Sequence, residues 1–111
     1  MEVTGKALKR VYYVTVSGRV DAETAPRLDA VLDEAMAQGY FRFVLDLGGV
    51  TFLSSRGLRS LLRLRKTVRR FNRGDVRLVN VSPNIRETLS LAGLLSIFPI
   101  YDDAVEAVGS F

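Results

Sequence analysis

The stretch FVLDLGGVTFLSSRGLRSLL, residues 43–62, restricts the fold more than any other part of the chain. Near-continuous apolarity from Phe41 to Leu47 predicts a strand covered on both faces, as in a parallel or mixed sheet flanked by helices. Gly48-Gly49 is expected to break that strand. Val50-Thr51-Phe52-Leu53 is then a short apolar approach that anchors a serine turn from beneath. Ser54 and Ser55 stand where a long helix begins, expected over residues 55–72 and ended by Gly74. A strand that feeds a helix through hydroxyl groups is where an α/β protein places its site.

The flanking segments supply the remaining layers. Residues 3–8 read as an edge strand, with lysine discouraging further pairing. Val11 to Val16 is rich in β-branched and aromatic residues and reads as its partner, closed by Ser17-Gly18. A helix is expected over 24–38, capped by Thr24, with Pro26 in its first turn. Its apolar face is Leu28, Val31, Leu32, Ala35 and Met36. Residues 76–81 alternate as a strand. Ser82-Pro83 opens a helix with Ile85, Leu89 and Ala92 inward. Residues 96–101 read as a last short strand, and Asp103 with Glu106 forms a capping-box pattern for a short final helix. The order ββαβαβαβα predicts a single α/β domain over residues 1–111, a mixed sheet of about five strands with about four helices.

Composition removes most chemistries. The 111 residues include no cysteine and no histidine. Disulfides, thiolate ligands, cysteine nucleophiles and the commonest general base are absent. No carboxylate cluster offers hydrolytic or metal chemistry, so the chain is expected to be no enzyme, with no catalytic residue and no metal. Asp46, at a strand end beside two glycines, reads as a turn hydrogen-bonding partner. Tyr12, Tyr13, Tyr40 and Tyr101 read as strand and core-rim residues. No apolar segment is long enough to span a bilayer, and a soluble cytoplasmic protein is expected.

The net charge of +4 is localised. Residues 56–73 hold Arg56, Arg59, Arg63, Arg65, Lys66, Arg69, Arg70 and Arg73 with no acidic residue, while the chain on either side is mildly acidic. This stripe has three readings: a solvated helix face, a dock for an acidic partner, or a nucleic-acid or membrane contact. No aromatic interleaves it to stack on bases, and Phe71 is assigned to the core with Leu58, Leu61, Leu62 and Val68. Direct nucleic-acid or membrane binding is therefore not expected.

The serine pair also has more than one reading. A serine there caps the helix for about 1 kcal/mol, or it is presented for modification. The two coexist if Ser54 caps and Ser55 is presented. Gly57 in the first turn lowers helix stability by roughly 1 kcal/mol relative to Ala, and a missing Cβ there would let a partner backbone or a phosphate approach.

Three segments in order resemble the STAS domain, and more narrowly the bacterial anti-sigma factor antagonists (anti-anti-sigma factors). They are SGRVDAETAPRL, FVLDLGGVTFLSSRGLRSLL and VSPNIRETLSLAGLLSIFPIYDDAVEAV. The resemblance implies that Ser55, the serine before x-Gly-Leu, is phosphorylated by an anti-sigma factor that is also an ATP-binding serine kinase. The unphosphorylated form binds that anti-sigma factor and frees a sigma factor for transcription, and a serine phosphatase resets the switch. Asp21, Thr24, Ser54, Ser55, Arg56, Gly57 and Arg59 are then the expected partner-binding residues, with Arg56 or Arg59 available to a phosphate. Ser54 stands where many members have Asp, and Arg56 where a small residue is usual. The alternative is a STAS module that never cycles phosphate, such as a small subunit of a lipid-transport ATPase complex or a stress-signalling scaffold. A monomer or weak dimer is expected.

Overall fold

Alternation along the central strand decides which layer each side chain joins. Phe43 and Leu45 are fully buried in the larger of two apolar clusters, and Val44 between them is fully buried in the smaller one. A strand buried on both faces needs helices on both sides, and the sequence supplies them. The computed structural model describes residues 1–71 and 73–111; Asn72, the expected end of the long helix, lies outside the described residues.

The elements are β1 (Glu2–Leu8), β2 (Val11–Val20), α1 (Ala25–Ala37), β3 (Arg42–Leu53), α2 (Ser55–Val68), β4 (Asp75–Val79), α3 (Pro83–Leu91), β5 (Ile100–Tyr101) and α4 (Ala104–Gly109). The five strands form one sheet in the order β1-β2-β3-β4-β5. β1 is antiparallel to β2, and the remaining neighbours are parallel. Mixed sheet, four helices and element order all agree with the expectation. Leu28 and Leu32 of α1, Leu61, Leu64 and Val68 of α2, and Ile85 and Leu89 of α3 pack on one face of the sheet. α4 covers the other face through Ala107, against Val11, Val44 and Val79.

The glycine pair does not break the strand. β3 continues through Gly48-Gly49 to Leu53, still paired in parallel with β2 as far as Val20↔Leu53. Two register shifts each place one extra residue in β3, as β-bulges do. A Cβ on Gly49 would lie 2.7 Å from the Cβ of Ser17, so this close approach of two backbones requires glycine. Asp46 supports the bend: its Oδ1 accepts from the Gly48 N–H at 3.0 Å, and its Oδ2 accepts from the Tyr13 hydroxyl at 2.7 Å and the Asn80 amide at 3.2 Å. Burial, then the adjacent Asp46 carboxylate, pushes the Tyr13 phenol well above its ordinary value, so it stays a donor. Asp46 is the turn-bonding residue its position suggests.

Several apolar assignments need correction. α2 stops at Val68, and its buried face is Gly57, Ser60, Leu61, Leu64 and Val68. Leu62 and Phe71, expected in the core, are 38% and 47% exposed. Phe71 lies beyond the helix and stacks on Phe41 with ring centroids 3.9 Å apart. Leu64, set between two arginines in sequence, is fully buried instead; a leucine so placed contributes about 1.5–3 kcal/mol. Ala92 follows the end of α3 and is exposed. β4 ends at Val79 because Asn80 turns into the left-handed region at φ 58°. β5 is only two residues, and Leu94 and Phe98 before it are buried without being strand.

Caps follow the sequence closely at the later helices. Ser82 accepts from the Ile85 N–H at 3.3 Å and Asp103 from the Glu106 N–H at 2.8 Å. Thr24 does not cap α1 with its side chain. Asp21 instead closes the turn that precedes the helix, with Oδ1 accepting from the Glu23 and Thr24 N–H groups at 3.1 Å each.

Candidate functional site

The strand ends bring the serine pair and the Asp21 turn together. β2 and β3 finish side by side, and the Ser54 N–H donates to the Val20 carbonyl at 2.9 Å. The turn after Val20 therefore sits against the turn that opens α2. Ser54 is the N-cap, in extended conformation, and its Oγ accepts from the Gly57 N–H at 3.2 Å. This satisfies one of the four free N–H groups of the first turn. Ser55 is the first helical residue and is exposed. Among the described residues its hydroxyl has no hydrogen-bond partner.

Gly57 has a different purpose from the one expected. It is buried, and a Cβ on it would lie 2.7 Å from Leu53 Cδ1, 2.9 Å from Val20 Cγ1 and 3.2 Å from the Val20 carbonyl oxygen. The missing side chain faces inward and lets the helix seat on the two strand ends. It does not open a path for a partner.

Arg56 also turns away from the serine. Its Nη2 meets Asp29 of α1 at 2.8 Å, and its Nη1 donates to the fully buried Ser60 hydroxyl at 2.9 Å. It is thus committed to the α1–α2 contact and is not free for a phosphate on Ser55. Arg59 is exposed and lines the groove between those helices.

Asp21 and Thr24 lock one another. The Thr24 hydroxyl accepts from the Asp21 N–H at 3.0 Å and donates to the Arg19 carbonyl at 2.8 Å. The Thr24 N–H above all, then the Thr24 hydroxyl, the Glu23 N–H and the Arg19 guanidinium, hold the Asp21 carboxyl below its ordinary value. At the opposite end of the sheet, burial pushes Asp75 up, but the Val76 N–H, Arg77 and Arg69 outweigh it and leave it lowered.

Both groups ionise at lower pH in the folded chain than in the unfolded one. The unfolded chain then binds more protons in acid, so stability is present above the ordinary carboxyl value of 3.8 and falls as pH drops through the folded values. Thermal unfolding followed by circular dichroism at decreasing pH is expected to show that decline. An Asp21→Asn/Asp75→Asn variant should start lower and decline less steeply; an equally steep decline in the variant would rule the account out.

Sequence reasoning missed Phe52. The approach segment is not uniformly inward: Val50 and Leu53 are buried, while Phe52 is 40% exposed with the Arg19 guanidinium 4.3 Å from its ring centroid. The second bulge in β3 rotates Phe52 outward, and no periodicity in the sequence signals a bulge. An exposed aromatic under an arginine thus borders the serine edge.

The sequence matches the family model of the STAS domain over residues 3–107. The chain belongs to the STAS domain family. BtrV of Bordetella bronchiseptica, provisionally named an anti-sigma factor antagonist, is 32% identical over all of this chain and 95% of its own length. The anti-sigma F factor antagonist of Paenibacillus polymyxa is 31% identical over 99 residues, 88% of this STAS domain and 84% of that protein. The crystal structure of an anti-sigma factor antagonist from Mycobacterium paratuberculosis superimposes with a TM-score of 0.87 at 28% identity, covering 98% of this chain and 92% of that one. Among the described residues, no helix of the STAS domain is long and apolar enough to cross a membrane.

Proposed function

We propose that this STAS domain is an anti-sigma factor antagonist, a binding module switched by phosphorylation of Ser55. Unphosphorylated, it binds an anti-sigma factor that is also a serine kinase, and so releases a sigma factor. A serine phosphatase restores the binding form. The observation that carries the reading is the division of labour in the serine pair: Ser54 caps α2, which leaves the exposed Ser55 hydroxyl at the helix start without an internal role. The relatives named as anti-sigma factor antagonists support the partner class. The chain acts by binding and needs no cofactor of its own.

The physics of the switch is local. A phosphate adds about −1.5 to −2 charge at pH 7. The free N–H groups and dipole at the start of α2 tolerate it, so the fold survives. A partner that covers the serine edge must desolvate that charge, which disfavours the complex strongly. Incubation with the anti-sigma kinase and ATP should add a single phosphate to the intact mass, located at Ser55 by peptide fragmentation and absent from Ser55→Ala. Phosphate at Ser54, or none, would refute the assignment.

A further inference from the structure

The basic stripe divides into two classes that its sequence does not reveal. Arg56 and Arg63 are matched by Asp29 and Asp33 of α1, at 2.8 Å in each closest pair. Arg65 donates to the Ile97 carbonyl, and Arg69 meets Asp75 at 3.3 Å. Arg73 is exposed and without a carboxylate partner among the described residues but lies past α2 and outside the α1–α2 groove; Arg59, Lys66 and Arg70 are likewise exposed and without a carboxylate partner among the described residues. All three line a groove of about 760 Å³ between α1 and α2.

Arg59 and Lys66 lie two turns apart on α2, and Arg70 continues the line just past its end. At 1.5 Å per helical residue the three charges span about 16 Å. The helix dipole favours Lys66 and Arg70 near the C-terminal end of α2. It does not favour Arg59, in the second turn from the start. Nor does packing explain an exposed arginine beside other cations, since like charges one turn apart repel.

We infer that the α1–α2 groove docks an acidic protein segment. Its α1 wall carries Asp29 and Asp33, which a continuous run of phosphates would meet with like charge. A peptide can space its carboxylates to meet Arg59, Lys66 and Arg70 and leave that wall alone. The lining holds no aromatic on which bases could stack. Its apolar part is the small Pro26 and Ala30, too little to enter a bilayer. The groove begins at Arg56, next to the serine edge. The inference goes beyond the switch and does not require that Ser55 be modified.

The test uses a fluorescent, Ala-based helical peptide with glutamate at every third or fourth position, and its glutamine isostere. Anisotropy titrations are run at physiological salt, where the screening length is about 8 Å. An Arg59→Glu/Lys66→Glu/Arg70→Glu variant is expected to bind the acidic peptide at least about tenfold more weakly than the parent chain. A Lys6→Glu/Arg10→Glu/Arg86→Glu variant, with the same change in net charge at exposed positions elsewhere, should stay within about twofold. The neutral Arg59→Gln/Lys66→Gln/Arg70→Gln variant should follow the first in direction, which guards against misfolding by charge reversal. Equal weakening by the groove and off-groove variants would overturn the inference. So would equal binding of the glutamine isostere, or tighter binding of a single-stranded RNA oligonucleotide or of phosphatidylglycerol vesicles than of the acidic peptide.

Discussion

The Ser55→Asp variant is expected to lose its anti-sigma partner while melting within a few degrees of the parent chain. The two halves of this result have separate causes. Stability is preserved because Ser55 is the first residue of α2 and is exposed; a carboxylate there faces the positive end of the helix dipole and contributes about 0.3–1 kcal/mol in favour of the fold. Binding is lost because the partner must bury a new charge. Driving a complex from almost fully formed to almost fully dissociated takes about 5.5 kcal/mol of differential affinity, within reach of an uncompensated buried charge. Calorimetric titration against the anti-sigma factor measures one half, and a thermal melt measures the other. Ser55→Ala should bind like the parent. A Ser55→Asp chain that binds normally, or that unfolds, would sink the proposal.

Gly57→Val is expected to destabilise the domain by about 3 kcal/mol, the upper part of the range for overpacking a filled site. For a chain of this size that lowers the melting temperature by about 15 °C. Leu53 Cδ1 and Val20 Cγ1 can yield to a first carbon by rotating, but the Val20 carbonyl oxygen at 3.2 Å is held by the Ser54 N–H. The added branches of valine then lift the first turn of α2 off both strand ends. Gly57→Ala isolates the competition: the gain of about 1 kcal/mol in helix propensity opposes the same collision, so its loss should be smaller. Urea unfolding of both variants measures the difference. A Gly57→Val chain as stable as the parent would show that the helix start is loosely packed and that the inward role of Gly57 is mistaken.

The junction between β3 and α2 was legible in sequence because each signal there is local. An apolar run, two hydroxyls and a helical period identify strand, cap and helix without knowledge of their neighbours. What could not be read depends on neighbours. Gly48-Gly49 looks like a break until β2 is placed beside it, when the glycines become the means by which two backbones approach. Leu62 and Leu64 are indistinguishable by hydrophobicity, and the sheet beneath α2 decides which is buried. Gly57 and Ser60 were not recognised as core positions because small residues carry little apolar signal. The unbroken positive run of α2 concealed that its carboxylate partners stand on α1, 27 and 30 residues earlier in the chain.

The link between Arg56 and Asp29 couples the start of α2 to α1. Asp29 has a side chain 15% exposed, and Arg56 lies near the end of α2 whose dipole repels it. Removing the arginine takes away the nearer of two cations beside that carboxylate and leaves Arg63 at 3.8 Å, and removing the carboxylate leaves a cation beside the wrong helix pole. Either change alone is expected to cost stability, and the two positions are coupled. The residue that follows Ser55 is thereby tied to a helix 27 residues earlier in the chain.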